Sequence, residues 1–401
     1  MSTTVRKPVV VPMASGSAAA TASQGAGRWR RVARVTAWVV LGVLALLAAL
    51  GVGTSLGRYV LRAAWEEGKI LARRQPITEI LADTSAPAEV RGRLTLVVDA
   101  RTFAQQALQL EGGRSFTAYS ALDRDTLVLV LSAARRDTLA AYTWWFPVVG
   151  RFPYKGFFNA REAQRSRDDL ERRGFDTVLR PAAAFSTLGW FDDPLLSTTL
   201  RLDSVSLANT VIHELTHNTL FVKGSVPFNE SFASFVGARG AAEFFRARGQ
   251  PAAARAAERQ WADEKQLGAF WGATARAIDS AFAAHPRDSL ARLEARDSVY
   301  ARMRHVLLAD LAPRMPTVSR SALERLPLNN AVLLARRVYA SDLWLFDEVH
   351  RRAGGSLAAT VRLIRDLVRA SPADPFETLR AWLAAGTERT ASGAVPDRVT
   401  P

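Results

Sequence analysis

The run His213–His217, which reads His-Glu-Leu-Thr-His, restricts the fold more than any other part of this chain of 401 residues. In an α-helix, residues i and i+4 lie on one face, so both imidazoles can bind the same metal ion. A projection at about 100° per residue separates an apolar arc from a polar arc that holds both histidines and Glu214. The apolar arc consists of Ala208, Val211, Ile212 and Leu215. The sequence therefore predicts a helix that buries one arc and turns the other to a metal site; the alternative is an ordinary helix with two unrelated histidines.

A zinc site in a hydrolase needs a third protein ligand and a position left for water. No His-x-x-Gly-x-x-His pattern follows the first histidine pair, so a third histidine at that spacing is excluded. Residues 223–227 (Lys-Gly-Ser-Val-Pro) predict a turn, after which a second helix would return antiparallel and bring Glu230 to the metal. The alternative for Glu230 is a carboxylate that stabilises the start of its helix. We predict Zn²⁺ bound by His213, His217 and Glu230, with Glu214 as the general base.

A second constraint lies near the N-terminus, where residues 35–57 contain no charged side chain. A run of this length is long enough to cross a bilayer and predicts a transmembrane helix. We favour a retained anchor over a cleaved signal peptide, because the run is long and lacks a small-residue cleavage site. Residues 1–34 are predicted to be a disordered basic tail. Basic residues flank the run on both sides, and the N-terminus of such a chain usually stays inside.

Composition removes several classes of function. The net charge is +15, but the arginines that supply most of it alternate with acidic residues, and no nucleic-acid-binding motif accompanies them. We therefore expect a solvated surface and no nucleic-acid partner. The chain has no cysteine, which excludes disulfides, thiolate zinc ligands and a cysteine nucleophile.

The fold class is predicted to be α+β. Two β-rich runs, Leu94–Val98 and Leu127–Leu131, lie in the front half, where we expect a mixed or antiparallel sheet. Helical patterns dominate the back half. The predicted divisions after the anchor are an α+β part at 58–203, zinc-binding helices at 204–240, a helical part at 241–385 and a polar tail at 386–401.

Two levels of resemblance extend this interpretation. The run Phe228–Phe235, which reads Phe-Asn-Glu-Ser-Phe-Ala-Ser-Phe, resembles the element that carries the glutamate ligand of gluzincin aminopeptidases. More broadly, residues 57–370 resemble a family of bacterial proteins described as putative aminopeptidases. The segments that carry this resemblance are Trp144–Gly150, Tyr154–Gly156, Phe185–Pro194, Val211–His217, Phe228–Phe235, Leu328–Ala331 and Tyr339. Relatives commonly have a lipoprotein leader with a cysteine, which this chain lacks, so residues 35–57 are expected to serve as the anchor.

The resemblance also implies roles for residues outside the metal ligands. Related enzymes use a tyrosine after the third ligand to stabilise the oxyanion, which implies this role for Tyr339; a tyrosine packed in the core is the alternative. The stretch from Phe185 would align the substrate by strand addition. Asp192 and Asp193 are candidates to bind the free α-amine, although a turn with Pro194 explains them equally.

Two asparagines are predicted to support the ligands. Asn209 lies one helical turn before His213, and Asn229 directly precedes Glu230. Metal ligands are commonly held in place by such neighbouring polar side chains.

These observations predict a single-pass protein of the inner (cytoplasmic) membrane with its catalytic domain on the periplasmic side. It would be a gluzincin-like zinc aminopeptidase that hydrolyses N-terminal peptide bonds of a peptide substrate. Two alternatives remain: a non-catalytic scaffold of the cell envelope that keeps the fold, and a zinc hydrolase of a non-peptide amide. The sequence carries no signal for the oligomeric state.

Overall fold

The structure is a computed structural model that describes residues 38, 53–122, 128–146, 150–182, 194–337 and 342–392. Most of the predicted transmembrane helix at 35–57 lies outside these residues. Asp192, Asp193 and Tyr339 also lie outside them. Within the described ranges, no helix combines the length and the apolar character that crossing a bilayer requires.

The chain forms two compact units, residues 1–65 and 66–401. The described helices are α1 (Ser55–Ala72), α2 (Ile77–Ala82), α3 (Ala88–Gln106), α4 (Ala160–Arg172), α5 (Ser197–Leu200), α6 (Ser204–Thr219), α7 (Val226–Ala247), α8 (Pro251–Ala284), α9 (Ser289–His305), α10 (Arg320–Arg325), α11 (Asn330–Arg337), α12 (Leu343–Arg352), α13 (Leu357–Ala370) and α14 (Pro375–Ser392). A π-helical turn, Val306–Leu311, and a 3₁₀ turn, Ala312–Arg314, continue from α9.

The strands form small sheets in the front half of the second unit. They are β1 (Gln75–Pro76), β2 (Ala118–Ser120), β3 (Val128–Arg135), β4 (Trp144–Phe146), β5 (Gly150–Phe152), β6 (Tyr154–Phe157), β7 (Phe175–Ala182) and β8 (Leu195–Leu196). The largest sheet has the order β6-β3-β7 and is antiparallel, with Val130 opposite Gly156 and Arg180. The sheet β1-β2-β8 is mixed, and β4 and β5 form a hairpin. The prediction of an α+β fold is confirmed, since the described residues are mostly helical and carry small sheets.

The prediction of a strand at Leu94–Val98 is wrong, because this run lies inside helix α3. Its buried residues are Leu94, Val97, Ala100 and Ala104, a spacing of three and four that suits a helix packed on one side. The β-branched residues at 97 and 98 favour a strand locally, but the burial of a helical stripe outweighs that preference.

The main core surrounds α6 and α7. The apolar arc predicted for α6 is fully buried, since Ala208, Val211, Ile212 and Leu215 each have 0% of their surface exposed. On α7, the rings of Phe228, Phe232 and Phe235 pack against Phe346 of α12, with centroids 5.7–5.9 Å away. Burial of this kind contributes about 25 cal/mol per Å² of apolar surface and holds both helices rigidly in the interior.

The run Leu328–Ala331 joins the helical part to the sheet. Asn330 is fully buried, its backbone N–H donates to Asp176 Oδ2 at 2.8 Å, and its side chain donates to the carbonyl of Arg135 at 2.8 Å. The hydroxyl of Tyr300 donates to Asn330 Oδ1 at 2.7 Å, and burial raises the pKa of this tyrosine. These contacts dock the start of α11 onto β3 and β7, which gives this segment a structural role.

Candidate metal centre

Helix α6 begins at a capped N-terminus. The carboxylate of Asp203 accepts hydrogen bonds from the backbone N–H groups of Val205 at 2.9 Å and Ser206 at 3.0 Å. An aspartate cap satisfies two of the donors that a helix leaves unpaired at its start and complements the helix dipole. The cap fixes one end of α6, and the buried apolar arc fixes its rotation. Together they set the direction of the opposite face, which carries His213 and His217.

The turn between α6 and α7 is fixed by Asn229. This side chain is 2% exposed; its Oδ1 accepts from the N–H of Val222 at 2.8 Å, and its Nδ2 donates to the carbonyl of Val222 at 2.9 Å. The N–H of Ser225 donates to the same carbonyl at 3.1 Å. Because Asn229 directly precedes Glu230, this two-point contact sets the rotation of the first turn of α7. Asn229 thus contacts the backbone of the turn, and its support of the metal ligands stays a prediction.

The two helices bring the three predicted zinc ligands together. Glu230 Oε2 lies 3.5 Å from His213 Nε2, and Glu230 Oε1 lies 3.7 Å from His217 Nε2. One ligand atom from each of the three residues lies within 4.8 Å of the others, the only such group of metal-ligating side chains among the described residues. Tetrahedral zinc with bonds of about 2.0–2.1 Å requires ligand atoms about 3.3 Å apart. The donor set therefore suits zinc with only small side-chain adjustments.

The electrostatics favour the protonation states that a metal needs. Burial, together with the charge of His213, lowers the pKa of His217 to about 4, although Glu230 acts in the opposite direction. Burial alone would raise the pKa of Glu230, but its hydrogen bond with His213 and the charges of both imidazoles lower it below the usual value. At neutral pH the site thus offers a neutral imidazole at His217 and an ionised carboxylate, the forms that bind zinc.

The two ring nitrogens of His217 have different surroundings. Nδ1 is buried and has no hydrogen-bond partner among the described residues. Nε2 is the nitrogen that faces Glu230. The rings of His213 and His217 lie 5.0 Å apart at 83°, so each can direct Nε2 to a common point.

Glu214, the predicted general base, is exposed on α6. It follows His213 directly and therefore projects about 100° further around the helix. This position leaves the carboxylate outside the group formed by His213, His217 and Glu230.

Gly237 of α7 allows helices α6 and α7 to approach closely, a feature that the sequence reasoning missed. A Cβ atom at this position would lie 2.3 Å from Asn209 Oδ1, 2.9 Å from the carbonyl oxygen of Asn209 and 3.1 Å from His213 Cβ. Asn209 thus packs against α7 beside the first ligand. The sequence does carry one signal for Gly237, its spacing from Glu230. Gly237 follows Glu230 by seven residues, about two helical turns, and therefore lies on the same face of α7.

We expect Gly237→Ala to destabilise the fold by about 1–3 kcal/mol and to weaken zinc binding. The added methyl group would overpack the contact and push on Asn209 and on the Cβ atom of His213. Urea unfolding and competitive zinc titration would measure the two effects. Gly240→Ala is the matched control, since its Cβ would meet only side-chain carbons of the apolar core, Ile212 Cγ2 and Leu108 Cδ1, each at 2.9 Å. Equal loss of zinc affinity in both variants would contradict a specific role for Gly237.

Comparisons with known proteins give one match. A family model described as "Putative aminopeptidase" matches residues 58–379, which include helices α6 and α7. No curated protein and no solved structure matches the chain.

Proposed function

Because the chain belongs to the putative aminopeptidase family, we propose that it is a membrane-anchored zinc aminopeptidase that hydrolyses N-terminal peptide bonds. The observation that carries this proposal is the convergence of His213, His217 and Glu230 on a common point between two buried helices. Two imidazoles and one carboxylate are a ligand set used by catalytic zinc, which keeps further positions for water and substrate.

The chain's own residues take complementary roles in this proposal. His213, His217 and Glu230 hold the zinc ion, which supplies Lewis-acid activation of water and of the scissile carbonyl. Glu214 accepts a proton from the attacking water and delivers it to the leaving amine. The exposure of Glu214 on the same helix as both histidines supports this role, since the base must reach water without taking a ligand position.

The remaining parts of the proposal concern residues that lie wholly or mostly outside the described ranges. Tyr339 would stabilise the oxyanion. Asp192 or Asp193 would bind the α-ammonium group that distinguishes an aminopeptidase substrate. Residues 35–57 would anchor the chain in the inner membrane and hold the catalytic domain on the periplasmic side; their uncharged, apolar sequence supports this role.

A paired-substrate experiment tests the proposal. Purified full-length protein loaded with zinc is incubated with a set of short peptides, each in a free-amine form and an N-acetylated form, and the products are identified by mass spectrometry. We expect release of the first residue from free peptides and at least tenfold slower cleavage of the acetylated forms, which lack the ammonium group. Equal cleavage of both forms would contradict the aminopeptidase assignment.

The same experiment separates the aminopeptidase proposal from its two alternatives. A zinc-loaded protein that cleaves none of the peptides would favour a non-catalytic scaffold or a hydrolase of non-peptide amides. Glu214→Gln protein serves as the control for contaminating peptidases, because a contaminant would remain active in that preparation.

A further inference from the structure

Phe221 is an exposed aromatic side chain beside the metal ligands. It lies two residues after the end of α6, and 64% of its surface is exposed. Its ring centroid is 6.5 Å from that of His217, at an interplanar angle of 74°. Single exposed apolar side chains are common on protein surfaces and need no explanation by themselves. The ring contact with a proposed zinc ligand sets Phe221 apart and places it at the edge of the site.

The exposure of Phe221 is imposed by its neighbours. Leu220 is 6% exposed and Val222 is 9% exposed, so both flanking side chains are anchored in the core. The backbone at Leu220 is extended, and successive side chains of an extended chain point in opposite directions. The ring between two buried residues must therefore point outward.

Hydrogen bonds make this arrangement rigid. The N–H of Leu220 donates to the carbonyl of Thr216 at 3.0 Å, and Asn229 holds Val222 by both backbone groups. A ring held on a fixed backbone loses little conformational freedom when another apolar group packs on it, which makes it an effective contact for a ligand.

The same connection carries a second exposed apolar side chain and a positive charge. Val226, the first residue of α7, has 48% of its surface exposed, and Lys223 is exposed between it and Phe221. An apolar substrate side chain that packs on Phe221 would lie beside this connection, where the charge of Lys223 would disfavour a basic side chain.

We propose that Phe221, with Val226 on the same connection, forms an apolar wall that receives the side chain of the substrate's N-terminal residue. The substrate class is peptides with a large apolar first residue, such as leucine or phenylalanine. This inference rests on the proposed function, because the wall is defined by its position beside the zinc ligands. An apolar subsite distinguishes side chains that differ by one methylene by about 10–200-fold, so discrimination by Phe221 should be easily measured.

The test compares wild-type protein with Phe221→Ala, Phe221→Leu and Leu290→Ala. Leu290 is the control because it is 74% exposed on α9, with no part in the proposed site. The kcat/KM values are measured for peptides that differ only in a first residue of leucine, phenylalanine, alanine or lysine. Zinc content and unfolding temperature are measured for every variant, so that a loss of metal or of folding is recognised.

We expect the wild type to prefer leucine and phenylalanine over alanine and lysine. Phe221→Ala should reduce the leucine-to-alanine ratio of kcat/KM by about tenfold or more. Phe221→Leu should keep most of that ratio, and Leu290→Ala should leave it unchanged. As a readout independent of turnover, the binding ratio of leucine hydroxamate to glycine hydroxamate in calorimetric titrations should fall in Phe221→Ala.

Two results would overturn the inference. The first is an unchanged leucine-to-alanine ratio in a zinc-loaded, folded Phe221→Ala protein. The second is an equal loss for all four substrates, which would assign Phe221 to holding His217. In both cases the wild type still cleaves free-amine peptides and the proposed function stands. A wild type that cleaves none of them removes the proposed function and this inference together.

Discussion

Replacing Glu214 with glutamine should lower kcat by about 10²–10⁴-fold while zinc remains bound, the range expected for loss of a general base. The amide has nearly the same size and shape as the carboxylate, but it is neutral and cannot accept a proton from water. Since Glu214 lies outside the ligand set, the zinc content and the unfolding temperature should match those of the wild type. Initial rates at saturating free-amine peptide, measured beside elemental analysis of the same sample, check the prediction.

Glu89→Gln provides the control for that experiment. Glu89 is a largely exposed glutamate in the first turn of α3, with 81% of its side chain exposed, and it has no part in the site. Its replacement should leave kcat unchanged. Retention of more than a tenth of the wild-type kcat in Glu214→Gln would remove Glu214 as the base and direct attention to another carboxylate.

Removing a ligand should have an equally large effect through a different route. We expect His217→Ala and Glu230→Ala to lose stoichiometric zinc and, with it, peptide hydrolysis. Each substitution leaves two protein ligands where a catalytic zinc site uses three. Dialysis against metal buffers followed by elemental analysis measures the loss, and near-zero hydrolysis should accompany it.

The ligand variants also predict how zinc contributes to stability. Zinc present at a thousand times its dissociation constant would stabilise the wild type by about 4 kcal/mol, so a chelator should lower the unfolding temperature of the wild type but barely change that of His217→Ala. His305 is an exposed histidine at the end of α9 and serves as the control. The unfolding temperature of His305→Ala should fall with the chelator as that of the wild type does. A His217→Ala protein that keeps one zinc per chain would contradict the ligand assignment.

The part of the fold that the sequence predicts best is helix α6. A helical period, two histidines four residues apart and a complete apolar arc all point to the same structure, and each is a local property. The approach of Glu230 also follows from the sequence, because residues 223–227 predict a turn after which the second helix returns antiparallel to α6.

Other features depend on contacts between distant residues, which a local pattern does not encode. The run Leu94–Val98 has side chains typical of a strand, yet it is part of a helix. The surrounding elements bury residues of this helix at a spacing of three and four, which only a helix provides. Gly237 carries no side chain to attract notice, and its importance appears only when Asn209 is placed opposite it. Asn229 is similar, since its partner is the backbone of Val222 rather than another side chain.

The central claim, that the two helices form a zinc site, is tested most directly by the metal content of the folded protein. Full-length protein is purified in detergent, stripped with a chelator, reloaded in a zinc buffer, desalted and examined by elemental analysis alongside Glu230→Ala. We predict about one zinc per chain in the wild type and close to none in the variant. A folded wild type that binds no more zinc than Glu230→Ala would contradict the account.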